Sequence, residues 1–334
     1  MVRVLALGLF LMIIGACGHD EEQETLCLPQ LQRIILDDYH VTDIAFSSDG
    51  TAWIATFKKG LIRYQAGQIT IFNSDNSVVS DSTSVRCLET DSRDNLWIGT
   101  NHGLIRFDGI KFTRYHSRNS PMPIDLVLAL AIDHQDKVWA AVCRFNEGGL
   151  VQFDGNEWKV YTPENSSLPI HLLGDLEVDH NNHLWIAAGS RLIRVAGDEW
   201  KHYNVQDFGF TPFLIGKIQS NQKNELIVQI DYALSSALPF HEPVLFKFNG
   251  QECDILEVID SAFNIPLPPG LYIDRQDHIW CNLWMNNSHH LAIHNGLQWN
   301  YLQDSLVPDM IYTIRQAPDQ SVWLATAHGI YIYR

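Results

Sequence analysis

"DSRDNLWIGTNHGLIRFDG", residues 91–109, decides the fold. It follows "VRCLETD" (85–91), whose apolar residues alternate as they do in a half-buried strand. Arg93-Asp94-Asn95 supplies a tight turn and "LWIGT" (96–100) returns as a second strand. "GLIRF" (103–107) follows a short loop, then an Asp108-Gly109 turn leads into "KFTRY" (111–115). Asp-Gly tolerates the positive φ that a two-residue hairpin demands, so one unit of sequence encodes four short antiparallel strands.

The unit recurs. Related runs stand at "SSDGTAWIAT" (47–56), "DHQDKVWAAV" (133–142), "DHNNHLWIAA" (179–188), "NQKNELIVQI" (221–230), "DRQDHIWCNL" (274–283) and "APDQSVWLAT" (317–326). Their anchors are Trp53, Trp97, Trp139, Trp185, Ile227, Trp280 and Trp323, spaced by 44, 42, 46, 42, 53 and 43 residues. Seven four-stranded copies at that period predict an all-β chain, a single seven-bladed β-propeller over residues 31–334. One blade cannot bury both of its faces, so each anchor tryptophan is expected between neighbouring blades as core. The last copy stops at Arg334 without a fourth strand, while "LQRIILDDYH" (31–40) has no blade of its own. Residues 31–37 are therefore expected to complete the last blade and close the ring.

The run G-x-L-W-I-G-T-x-x-G-L-x-R-F-D-G, followed by "YHSRNSPMP" (115–123) and again by "YTPENSSLP" (161–169), resembles the two-component regulator propeller repeat. In that family such blades form periplasmic sensors of hybrid histidine kinases in gut Bacteroidetes, often as two consecutive propellers, and sense carbohydrate. This chain has seven copies and no kinase behind them, so the resemblance carries no phosphorelay with it. The fifth copy lacks the Trp and the Gly-Thr pair and diverges most.

The N-terminal end reads as a processing signal. "MVRVLALGLFLMIIGAC" has one cation and an apolar run too short to span a bilayer comfortably. Its end, Ile14-Gly15-Ala16-Cys17, resembles a bacterial lipobox, which implies cleavage after residue 16 and a lipid on Cys17. The acidic stretch "GHDEEQET" (18–25) reads as a solvated tether over residues 17–30. It resembles the export stretch of Bacteroidetes surface lipoproteins. The expected location is the outer membrane, facing the periplasm or the cell surface, with attachment through lipid alone.

A net charge of −16 argues against nucleic acid and anionic membrane surfaces, which need a basic face. Cys27, Cys87, Cys143, Cys253 and Cys281 show no CxxC spacing and are odd in number, which excludes a fully paired disulfide framework and disfavours a zinc site. Cys87, within an apolar alternation, reads as a buried small hydrophobe.

Irregular loops in a regular repeat point to a binding face. The loop between second and third strands lengthens to "CRFNEG" (143–148), "DYALSSALPFHEP" (231–243) and "WMNNSHH" (284–290). The blade links "NVQDFGFTPF" (204–213) and "VIDSAFNIPLPPG" (258–270) are also unusual, and all of these fall on one face. The candidate ligand-binding residues are Arg144, Phe145, Phe208, Phe210, Tyr232, His241, Trp284, Asn286 and His289. Aromatics among amides and single charges suit a glycan or a protein surface. The competing reading has these loops packing on one another over the weak fifth blade.

No G-x-S-x-G, H-E-x-x-H or P-loop is present, and no cofactor or metal is expected. His102 and His328 occupy equivalent loop positions, and the Asp-rich turns read as turn formers rather than calcium loops. The expectation is a monomeric, exported recognition or sensory module. Alternatives are a propeller enzyme of lyase or lactonase type and a surface scaffold. An enzyme should gather ionisable groups with perturbed pKa values at the central mouth; a binder should show an aromatic groove across blades three to six.

Overall fold

In the computed structural model the repeat forms seven four-stranded antiparallel sheets. The structure describes residues 29–334 apart from 80–82, 145, 209–213, 232–242, 259–269, 286–287 and 303–309; for a few flanking residues only the backbone is described. Inner strands run Val41–Phe46, Val85–Thr90, Val127–Ile132, Leu176–Val178, Leu214–Ser220, Leu271–Ile273 and Ile311–Gln316. Each packs on the inner strands of both neighbouring blades, and the seventh packs on the first, so the ring is closed. The closing strand is Leu31–Ile35, paired with Gly329–Tyr333 as expected.

The anchors are core. Trp97 is 3% exposed and packs with Met122, Val127, Val151 and Phe153 of the second and third blades. An indole buried this deeply must place its N–H, and the turn six residues upstream provides the acceptor. Trp97 donates to Asp91 (3.1 Å), Trp185 to Asp179 (2.9 Å) and Trp280 to Asp274 (2.8 Å). The other oxygen of Asp91 accepts the N–H groups of Arg93 (3.0 Å) and Asn95 (2.9 Å). These aspartates are turn formers, as read from the sequence. Three residues before the anchors, Asp94, Asp136, Asn182, Asn224, Asp277 and Gln320 all hold positive φ. Their side chains also join blades: Asp94 accepts from Ser48 N–H (2.7 Å) and Asp136 from Ser92 N–H (2.9 Å).

The N-S element folds the link between blades. In the second blade Asn119 accepts from His116 N–H (2.8 Å) and donates to Arg114 C=O (2.9 Å); Asn165 repeats this with Thr162 (2.7 Å) and Val160 (3.0 Å). The loop histidines are equivalent too, since His102 N–H and His328 N–H donate to Thr100 and Thr326 hydroxyls. Gly103, with φ +114°, lies where a Cβ would stand 2.1 Å from Tyr115 C=O of the outer strand. Gly103→Ala is expected to destabilise by about 2 kcal/mol through backbone strain, visible as a lowered melting temperature.

Two expected loops are shorter than the sequence implied. The hairpin of the third blade runs Val138–Arg144 into Glu147–Phe153, and that of the sixth runs Ile279–Met285 into Ser288–His294. The extra residues extend the strands, because the apolar alternation of "IWCNLWM" continues past the usual strand end. The inner strands carry a second irregularity. Five of them bulge near their start, at Thr42, Arg86, Leu128, Gly216 and Tyr312. A bulge turns the strand and re-aims the residues beside it. Here it occurs where the strands enter the ring from the loop-bearing face.

Candidate functional site

The inner strands enclose a cavity of about 640 Å³ on the ring axis. Its wall follows from strand register. The residue facing each anchor across the first hairpin is Ala45, Glu89, Ala131, Glu177, Gln219, Tyr272 or Arg315. Two positions earlier stand Asp43, Cys87, Ala129, Asp175, Lys217, Gly270 and Thr313. Most members of both rings line the cavity. A smaller cavity of about 270 Å³ lies toward the opposite face, and Glu89 and Arg315 line both.

The charges fall into two groups. On one side Arg315 sits 3.5 Å from Asp43 and 3.8 Å from Glu89. On the other, Lys217 sits 3.3 Å from Asp175, with Glu177 beside them. Asp43 also accepts the Leu88 N–H of the next blade (2.8 Å), and Asp175 accepts that of Ile218 (3.1 Å). These two aspartates latch adjacent blades. Glu177 accepts the N–H (2.9 Å) and hydroxyl (2.7 Å) of Ser220, both on Oε1. Glu89 accepts no hydrogen bond among the described residues, and its side chain is 38% exposed to the cavity.

Burial pushes the Glu89 carboxyl up to about 7, with Arg315 opposing and Asp43 reinforcing. Glu177 is likewise pushed up to about 7 by burial, against its Ser220 bonds. Coulombic attraction to Asp175 raises Lys217, and burial raises the Cys87 thiol. The linkage has a definite sign. Folded Glu177 holds its proton over a pH range where the unfolded carboxyl, with its ordinary value of 4.5, has lost it. Stability conferred in acid is therefore lost as pH rises from about 4.5 to 7. The melting temperature of Glu177→Gln, taken relative to the unsubstituted protein, should increase between pH 5 and pH 8.

The mouth on the loop-bearing face carries aromatic rings. His40 lies between Phe57 (5.3 Å) and Tyr312 (4.8 Å), all three lining the cavity. Phe57 is 44% exposed. Burial and the charge of His328 lower the His40 pKa. Arg86 and Leu128 complete the rim from the second and third blades.

The residues singled out from sequence relate to this cavity unevenly. Arg144 is exposed at the tip of the third blade's second hairpin, on the mouth face by strand alternation. Trp284 and His289 pair across the equivalent hairpin of the sixth blade, and Phe208 ends a short 3-10 turn (Val205–Phe208); only their backbones are described. Phe145, Phe210, Tyr232, His241 and Asn286 lie outside the described residues, as do Cys17 and the acidic stretch 18–25. Arg144, the one of the nine whose side chain is described, does not line the cavity. Cys87 departs from its reading as a buried residue: it is partly exposed in the cavity wall, packed into the space that Gly99 leaves. Among the described residues Cys87, Cys143, Cys253 and Cys281 are not joined in disulfides, and no three His, Cys, Asp or Glu side chains are placed to hold a metal ion.

The inner-strand charges were missed, yet they keep a fixed offset. Glu89 precedes Trp97 by eight positions, and Glu177 precedes Trp185 by the same interval. Charged residues recurring there, within otherwise apolar strands, were the available signal.

Comparison with known proteins agrees with this architecture. The two-component regulator propeller model matches residues 80–102. No curated protein sequence matches the chain. Among solved structures, the extracellular domain of a hybrid two-component system from B. thetaiotaomicron is similar at TM-score 0.70 and 15% identity, over 91% of this chain and 40% of that one. This chain thus spans about two fifths of that domain's length. Virginiamycin B lyase from Staphylococcus aureus is similar at TM-score 0.68 and 12% identity, covering 92% and 98%. PorZ, a surface component of the type-IX secretion system of Porphyromonas gingivalis, is similar at 0.66 and 12% identity, covering 87% and 46%. At these identities the likeness is one of fold. Period, closure and the matched repeat agree: the chain is a seven-bladed propeller that carries the two-component regulator propeller repeat.

Proposed function

We propose that this protein is an exported, lipid-anchored recognition module that admits a small polar ligand through the mouth of its central cavity. One observation carries the reading: a cavity of about 640 Å³, lined by converging charged side chains and Gln219, opens beside the exposed Phe57 ring and the half-buried His40 and Tyr312 rings on the face that bears the irregular loops. Concave sites with a few placed polar groups are where small ligands bind. The extracellular domain of a hybrid two-component system that shares the fold supports a sensory role, and the loops of blades three, five and six would extend the site toward a glycan or a partner protein.

The test is a thermal-shift panel of glycans, amino acids and amines on the purified protein and on Leu128→Trp, which narrows the mouth from the third blade. A saturable rise in the unsubstituted protein that the variant loses supports recognition through the mouth. A ligand at a hundredfold excess over Kd adds about 2.7 kcal/mol, so weak ligands need millimolar concentrations. A rise of equal size in both proteins would place the site elsewhere.

A second reading has one observation in its favour. Two carboxyls held near neutrality in one cavity meet the condition for acid–base catalysis, and a lyase shares the fold. It requires that a bound compound be chemically changed, which mass spectrometry after incubation would detect, and that Glu177→Gln abolish the change.

A further inference from the structure

Two carboxyls of the cavity wall keep acceptor oxygens that no described donor serves. Four carboxylates line it: Asp43, Glu89, Asp175 and Glu177. Asp43 and Asp175 are served by backbone N–H groups and by the two cations Arg315 and Lys217. Glu89 has only the Arg315 guanidinium at 3.8 Å, beyond hydrogen-bond reach, and Glu177 Oε2 has no donor among the described residues. Glu89 comes from the second blade and Glu177 from the fourth, so both flank the third blade, which contributes only Ala129 and Ala131 to the two rings. Space and unserved acceptors therefore coincide. The third cation of the wall, Arg86, is an exposed bulge residue at the rim, and His40 is held toward its neutral form. Above the acceptors, the Phe57–His40–Tyr312 rings offer π faces to a positive group on its way in.

We propose that the ligand of the central cavity carries a protonated amine, seated between Glu89 and Glu177. This rests on the recognition reading above and names its ligand class. An ammonium supplies three donors and no acceptor, which is the complement of the unserved oxygens. Seating it requires both carboxylates ionised, so protons leave as the ligand enters. Tyr272, Cys87 and Lys217, the other titratable groups nearby, stay in their ordinary forms near neutral pH, since burial or Asp175 raises each.

Isothermal titration with 1,4-diaminobutane at pH 8 and pH 6 tests this, with 1,4-butanediol as the neutral control. The diamine should bind at pH 8 at least about tenfold more tightly than at pH 6, releasing protons measurable as a dependence of heat on buffer. The diol should not bind. Glu89→Gln and Glu177→Gln, which keep shape and should still unfold cooperatively, should each weaken binding about tenfold or more. No diamine binding at pH 8, or binding indifferent to both variants, overturns the proposal. If the diamine fails while a neutral ligand binds and is lost in Leu128→Trp, the amine class is wrong and recognition through the mouth stands. If nothing binds through the mouth, both fall.

Discussion

Trp97→Ala should cost about 3–5 kcal/mol of folding stability, the range for truncating a large buried aromatic. The indole is 3% exposed, lies edge-on to Phe153 at 6.0 Å and stacks with Tyr115 at 6.3 Å. Its loss leaves a cavity between the second and third blades. It also removes a donor from Asp91, which organises the adjoining turn. For a chain of this size the melting temperature should fall by roughly 5–8 °C, read by calorimetry. Trp158, half-buried on an outer strand, should cost markedly less when truncated, because its ring rests on the blade rim. Equal costs at the two positions would mean that the anchors are not the core of the ring.

Removing the closing strand should do more. A chain beginning at Asp37 loses the pairing of Leu31–Ile35 with Gly329–Tyr333 and the reciprocal bonds between Gln30 and Arg334 (2.8 and 3.1 Å). It uncovers Tyr333 and Ile330, both fully buried. Six or so backbone hydrogen bonds at about 1 kcal/mol each, with the apolar cover, amount to more than about 5 kcal/mol. The exposed edge would also template aggregation. A synthetic peptide of residues 29–37 should restore the melting transition by adding the missing strand. An unchanged transition in the truncated chain would show that the ring does not depend on this strand.

The architecture was legible because propeller folding is dictated by features that repeat. The Trp, the Asp six residues before it, the turn residue with positive φ and the Asn-Ser link each make the same bonds in several blades, so their period names the fold. The closing strand was legible by subtraction, from four strands needed and three present. The site was much less so. Function in a repeat fold sits where the copies differ, and two kinds of difference compete. Long loops such as 231–243 are conspicuous, and the reading followed them toward aromatic residues of blades three to six. The cavity wall differs by single substitutions at fixed register, as between Ala45, Glu89 and Arg315, which do not change length or pattern. Only the closed ring brings Glu89 and Arg315, far apart in the chain, to one ion pair. The extended hairpins of blades three and six show the converse: sequence that looked like inserted loop was strand.

A crystal structure of the protein grown at pH 8 with the tightest ligand from the thermal-shift panel tests the central claim most directly. The account predicts density for the ligand inside the ring, entered between Phe57 and Leu128 and reaching the level of Glu89 and Glu177. Ligand density confined to the outer strands or to the face of the Asp-rich turns, with the cavity unfilled at saturating ligand, would contradict it.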